Sequence, residues 1–163
     1  MKKLLIILCA MLMLAGCSTT TFESIDDNQD VPVMGKPATL LIDLPEDAAV
    51  PAMEGTFGKL YFCDDYDVTV EVLPAGNLDE TIQVLTGFGR NELKIIETKR
   101  CGVSCYESAW SAAGEAGDQV GRVLILDDSC YHYCVTVQAP AEEASQCLAQ
   151  WAELLDSVAL AEG

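Results

Sequence analysis

The sequence predicts an α+β domain in which an antiparallel sheet is covered by helices. Three observations lead there. Apolar and polar residues alternate over short stretches bounded by turn residues, as along Val68-Thr69-Val70-Glu71-Val72, which is the period of a half-buried strand. Four strand-like stretches follow one another in the C-terminal half with short connections, and such neighbours join most simply as an antiparallel meander. The chain then closes on a long apolar stripe at helical spacing, and the sheet is the large surface available to cover it.

Taken in order, Thr39 to Asp43 is a short apolar run halted by Leu44-Pro45-Glu46-Asp47, a strand followed by a turn. Phe57 to Cys63 is aromatic-rich and strand-like. The turn Asp64-Asp65-Tyr66-Asp67 and the alternating valines after it complete a hairpin. The period then changes. Asn77 suits a helix N-cap, Asp79 and Glu80 fall in the first turn where the helix dipole favours acids, and Leu78, Ile82 and Leu85 share a face. Gly87 or Gly89 ends this helix after about ten residues. Strands are expected over residues 93–99, 106–112, 120–126 and 131–138, the clearest turn among them being Gly114-Glu115-Ala116-Gly117-Asp118. Pro140 at a tolerated first position and Glu142 and Glu143 beside it open the last helix. Its stripe is Ala144, Cys147, Leu148, Trp151, Leu154, Leu155 and Val158.

This order of elements resembles the PsbP-like fold, which includes many small bacterial lipoproteins. Leu44-Pro45-Glu46 is similar to the family's early strand-then-turn signature. Trp151 with Leu154-Leu155-Asp156-Ser157-Val158 resembles its closing helix. The resemblance covers Ala38 to Leu160 and implies an α/β/α sandwich that serves binding or scaffolding rather than catalysis. The cysteines depart from the family's pattern.

The N-terminus carries a different message. Lys2 and Lys3 precede an apolar run from Leu4 to Leu14, and small residues lead out of it, as in an export signal. That run has eleven residues, whereas a membrane-spanning helix needs about 20. Leu14-Ala15-Gly16-Cys17 resembles the lipobox of bacterial lipoproteins. The resemblance implies a signal peptide over residues 1–16, cleavage before Cys17, and lipid on the Cys17 sulfur. Two or more acyl chains hold durably, since each buried methylene contributes about 0.8 kcal/mol. Residues 17–37, rich in Thr, Ser, Asp and Asn with Pro32 and Pro37, read as a tether too polar to offset its own ordering entropy. Residues 38–163 form the single domain. The protein is therefore expected on the extracytoplasmic face of a plasma or outer membrane.

Without the two leader lysines the formal charge moves from −17 to −19. Such a surface repels nucleic acid and anionic headgroups. The expected contacts are thus the membrane, through lipid on Cys17, and a protein partner in the envelope.

Six further cysteines, Cys63, Cys101, Cys105, Cys130, Cys134 and Cys147, belong to the domain. In an exported protein all six are disulfide candidates. If a hairpin joins residues 93–99 to 106–112, Cys101 and Cys105 face each other across Gly102-Val103-Ser104, within disulfide reach. Cys130 and Cys134 on one straight strand stand about 13 Å apart and do not bridge. Pairing each of Cys101 and Cys105 with one of Cys130 and Cys134 is the alternative, since both turns fall at one end of the meander. Cys147 reaches Cys63 or remains a small buried hydrophobe. The competing chemistry is a thiolate metal site of Cys101, Cys105, Cys130 and Cys134 with His132 nearby, or a redox pair. Lys99 and Arg100 single out Cys101 as the candidate reactive thiol.

The lone histidine, His132, lies between Tyr131 and Tyr133 and reads as a surface or edge residue, about 6–7 Å from the neighbouring thiols and too far for a direct hydrogen bond. Asp64-Asp65-Tyr66-Asp67 lacks the glycine and closing glutamate of a calcium loop. No nucleophile elbow, phosphate loop or zinc-protease motif occurs, and neither a cofactor nor catalysis is expected.

Overall fold

Residues 35–113 and 117–161 are described by the structure, a computed structural model. They lie in one compact unit, Met34–Gly163. The predicted leader, the lipidated Cys17 and most of the tether fall outside the described residues, as do three residues of the turn predicted at 114–118.

Among the described residues the strands are β1 (Thr39–Leu41), β2 (Met53–Glu54), β3 (Gly58–Phe62), β4 (Asp67–Pro74), β5 (Ile96–Arg100), β6 (Val103–Ala112), β7 (Gln119–Asp127), β8 (Tyr131–Pro140) and β9 (Ala159–Ala161). The helices are α1 (Leu78–Thr86) and α2 (Ala141–Ser157). Strands β2 to β8 form one sheet in the order β2-β3-β4-β8-β7-β6-β5, and β1 and β9 pair separately. Every pairing is antiparallel. The meander predicted from β5 to β8 is present. The hairpin β3–β4 joins it on the far side of β8, because α1 carries the chain from β4 to the opposite edge of the sheet.

That strand order makes β8 central and buries it on both faces. Tyr133, Val135 and Val137 enter a core with Trp151, Leu154 and Leu155 of α2. Cys134 faces the other way, toward Ile82 of α1, with Val123 and Ile125 beside it. The two helices thus cover opposite faces of the sheet, giving the α/β/α arrangement. A buried Val or Leu contributes about 1.5–3 kcal/mol, so the buried part of the α2 stripe is the main hold on that helix; Leu148, predicted in the stripe, is exposed instead.

Both helix ends follow from local chemistry. The Asn77 side chain accepts from the Asp79 N–H at 3.0 Å, and Gly87 closes α1 at φ +79°. Pro140 is the residue before α2, still extended at φ −51°, rather than its first helical residue. The last turn of α2 has no basic residue of its own. Arg100 supplies the cation from β5, donating to the Leu155 carbonyl and pairing with Glu107 at 3.2 Å. A positive charge there complements the negative end of the helix.

Two strands go beyond the predicted elements. β9 follows α2 directly and pairs with β1 in the register Leu40↔Leu160. β2 is a two-residue edge against β3.

Candidate functional site

Helix α2 lies over β7 and β8 and leaves the same face of β3 and β4 to the segment before it in sequence. That segment covers the face incompletely. A groove of about 690 Å³ remains, lined by Leu40, Ile42, Phe57, Tyr61, Val70 and Val72. The lining follows from strand alternation: Val70 and Val72 pack toward the α2-side core, and Glu71, between them, points away. Gly58 is required in the groove wall, since a Cβ there would meet the Glu71 side chain at 2.6 Å and the Val70 carbonyl at 2.8 Å. Phe57 precedes it, 56% exposed, with its carbonyl accepting from the Val72 N–H at 2.8 Å. At the rim Lys59 and Glu54 pair at 2.9 Å and cancel each other's charge. Strand β1 bonds β9 along one edge. Among the described residues β1 has no strand on its other edge, and its Leu40 lines the groove.

Pro37 and Tyr131 also line the groove, and the chain is tied down beside Tyr131. The Tyr131 hydroxyl donates to the Gly35 carbonyl at 2.8 Å. The Ala38 N–H donates to the Tyr133 hydroxyl at 2.9 Å, which in turn donates to the Asp128 carboxylate at 2.8 Å. Asp128 also accepts from the N–H groups of Cys130 and Tyr131, at 2.8 and 2.6 Å. Burial works against its ionisation, but these donors outweigh that and hold its carboxyl below the usual range. Burial first, then the same carboxylate, pushes the Tyr133 hydroxyl up to about 12.

The cysteine cluster predicted from the sequence does not assemble. Residues 101 and 102 make a two-residue turn with φ +53° and +78°, and β6 begins at once, at Val103. Cys105 therefore pairs with Thr98 rather than with Cys101. Cys105 enters the α2-side core and Cys134 the α1-side core, so the sheet itself separates these two thiols. Burial raises the pKa of Cys105 and holds that of Cys134 above the thiol range. Cys101 and Cys130 are exposed, each in its own turn. The geometry thus speaks against the alternative metal set of Cys101, Cys105, Cys130, Cys134 and His132, and no group of three or more potential ligands gathers among the described residues. Arg100, which recommended Cys101 as reactive, is engaged with Leu155 and Glu107.

His132 is likewise corrected. It is 1% exposed, because β4 pairs with β8 and α1 lies across it. Its Nδ1 is 2.9 Å from the Thr81 hydroxyl of α1, and its Nε2 is 3.9 Å from Asp127. The hydroxyl donates to Nδ1 in the tautomer that points Nε2–H at Asp127. Sequence reasoning missed this contact, since nothing local marks Thr81 as its partner.

A second, polar cleft of about 390 Å³ includes Asp43, Asp47, Asp64, Asp65 and Glu153 in its lining. The Asp47 carboxylate accepts from the Asp64 N–H at 2.8 Å, which orders the turn after β3.

No protein-family model matches the chain, and no curated protein does. Among solved structures it is similar to a Bacteroides thetaiotaomicron protein, with 9% identity and a TM-score of 0.53 over 76% of this chain. This chain spans 45% of that protein's length. It is also similar to LpqN, involved in cell envelope biogenesis of Mycobacterium tuberculosis, at 14% identity, 78% and 87% coverage of the two chains and a TM-score of 0.48. A Pseudomonas aeruginosa protein of unknown function, PA94, a putative regulator, matches at 11% identity, 82% and 90% coverage and a TM-score of 0.48. The first of these likenesses supports the α+β fold class and nothing finer.

Proposed function

We propose that this chain is an exported lipoprotein, cleaved before Cys17 and anchored by lipid on it, whose domain acts by binding an envelope protein rather than by catalysis. The observation that carries the binding role is the apolar groove on the α2 face. Its volume falls in the range of ligand pockets, and its lining is mainly hydrophobic and aromatic. The ligand that suits it is an extended, uncharged stretch of a partner protein. Such a strand finds backbone partners along the free edge of β1, and its alternate side chains meet Tyr61, Val70 and Val72. The Lys59–Glu54 pair leaves the rim without net charge for an ionic ligand, and the acidic surface disfavours nucleic acid.

A random nonapeptide library selected on the detergent-extracted mature protein tests this. Enrichment of sequences with alternating apolar residues, lost on Val72→Lys, is the expected result. No enrichment, or peptides that hold Val72→Lys equally well, would count against it. The anchor has its own test: incorporation of an alkyne-tagged fatty acid that disappears with Cys17→Ser.

A further inference from the structure

Strand β5 is one edge of the seven-stranded sheet, and no strand lies beyond it among the described residues. It enters β6 through a turn of two positive-φ residues, with Arg100 and Val103 paired across it. Such a turn makes the flanking residues a hydrogen-bonded pair, and bonded and non-bonded pairs alternate from there. Arg100, Thr98 and Ile96 therefore direct their backbone groups inward, to Val103, Cys105 and Glu107. Glu97 and Lys99 direct theirs outward, to the open edge. Thr98 pairs with Cys105 on the α2 side of the sheet, so the side chains of Glu97 and Lys99 share the α1 side. Both are exposed, and no salt bridge among the described residues involves either.

We propose that β5 pairs antiparallel with β5 of a second copy of this chain, about a twofold axis through Thr98, joining two seven-stranded sheets into one. The sequence Ile96-Glu97-Thr98-Lys99-Arg100 is self-complementary in that register. Each Glu97 stands opposite Lys99 of the second copy, and each Lys99 opposite its Glu97, which sets opposite charges across the junction twice. These are the residues whose backbone groups point outward, so the same pairs exchange the N–H to carbonyl bonds. On the other face Thr98 meets its own counterpart, and the exposed Ile96 lies against the aliphatic stem of Arg100 from the second copy.

Charge also rejects the neighbouring registers. An axis through Glu97 sets two glutamates opposite one another, and an axis through Lys99 sets two lysines opposite, both unfavourable. Charged residues ordinarily keep an edge strand from pairing. Here one acid and one base, two residues apart, admit a strand of the same sequence running the other way. The arrangement is the isologous interface of a C2 dimer. At the other edge of the sheet β2 has only two residues, too few for the same pairing. Neither the groove nor the lipid anchor is needed for it, and the groove strands β3 and β4 lie beyond β8, away from β5.

Sedimentation of the full chain in detergent, over a range of concentrations, tests this. A concentration-dependent dimer is expected. Glu97→Lys or Lys99→Glu alone places like charges opposite one another twice, and should weaken dimerisation about tenfold or more. The double exchange, Glu97→Lys with Lys99→Glu, should restore it, as should mixing the two single variants. Restoration reports on the pairing itself, because a substitution that merely disturbed the edge would not be rescued. A zero-length carbodiimide, applied to mixed light and isotope-labelled chains, should couple Glu97 of one copy to Lys99 of another in peptides mapped by mass. A chain that stays monomeric, a dimer indifferent to the single exchanges, or a double exchange that restores nothing would overturn the proposal. So would carbodiimide treatment of envelope membranes that joined Glu97 to a different protein in place of a second copy.

Discussion

Asp128 and His132 stand near one another in sequence and do different work. Asp128 gathers three donors, the N–H groups of Cys130 and Tyr131 and the Tyr133 hydroxyl, and through Tyr133 it holds Ala38. Its carboxyl is held low in the folded protein, so its contribution is present above the unfolded value of about 3.9 and lost as pH falls through the lower folded value. Partial exposure keeps that contribution small. Asp128→Ala should cost about 1–2 kcal/mol near neutral pH by orphaning its donors. In urea melts the gap to the native protein should narrow below about pH 4 as the carboxylate protonates, and a gap independent of pH would show that the charge of Asp128 adds nothing to its hydrogen bonds. His132 is a buried strut between β8 and α1. His132→Ala should destabilise by about 2–4 kcal/mol, from the cavity and the orphaned Thr81 hydroxyl. Because the groove lies on the other face, peptide affinity measured on the folded variant should be unchanged. The alternation at Tyr131-His132-Tyr133 was visible in the sequence, but burial of its polar face was not. It depends on β4 pairing beside β8, a contact between residues about sixty apart in the chain.

At the scale of elements, α1 was legible almost residue by residue, since Asn77, Asp79, Glu80 and Gly87 are local signals with local causes. Asn77→Ala should cost about 1 kcal/mol in thermal or urea unfolding, with Asn77→Asp near native. The meander was legible for the same reason: alternation and turn residues sit within each stretch. The β5–β6 turn was not. A left-handed conformation favours Gly, Asn or Asp, and nothing about Cys101 advertises its positive φ, so the predicted loop was too long and the predicted thiol pair came out misaligned. Close backbone approaches are equally hidden. At Gly121 a Cβ would collide with the Trp110 indole and come within 2.8 Å of the Val137 carbonyl. Gly121→Ala should lower stability by about 1–3 kcal/mol, read as a shift in urea midpoint with unchanged slope. An unchanged midpoint would mean that Trp110 moves aside freely.

For the whole molecule, the sequence conveyed the class of fold because patterning within each element decides which faces are apolar. It did not convey the groove, which is a property of strand order: α2 lies on one half of the sheet face, and the short β1–β9 pair falls short of covering the other half. The cysteine cluster failed at this scale too, since spacing along a chain says nothing about which side of a sheet a residue faces until the register is known. The central claim is that an anchored domain receives an extended partner strand in that groove. Its most direct test is photo-crosslinking in intact cells from a benzophenone side chain at position 57, with position 84 as control. Phe57 and Val84 are both exposed apolar residues, 56% and 79% accessible, Phe57 at the groove and Val84 on α1 across the sheet. The account predicts one discrete protein adduct from position 57, absent from position 84 and abolished by Val72→Lys. No adduct from position 57, or the same adduct from both positions, would contradict it.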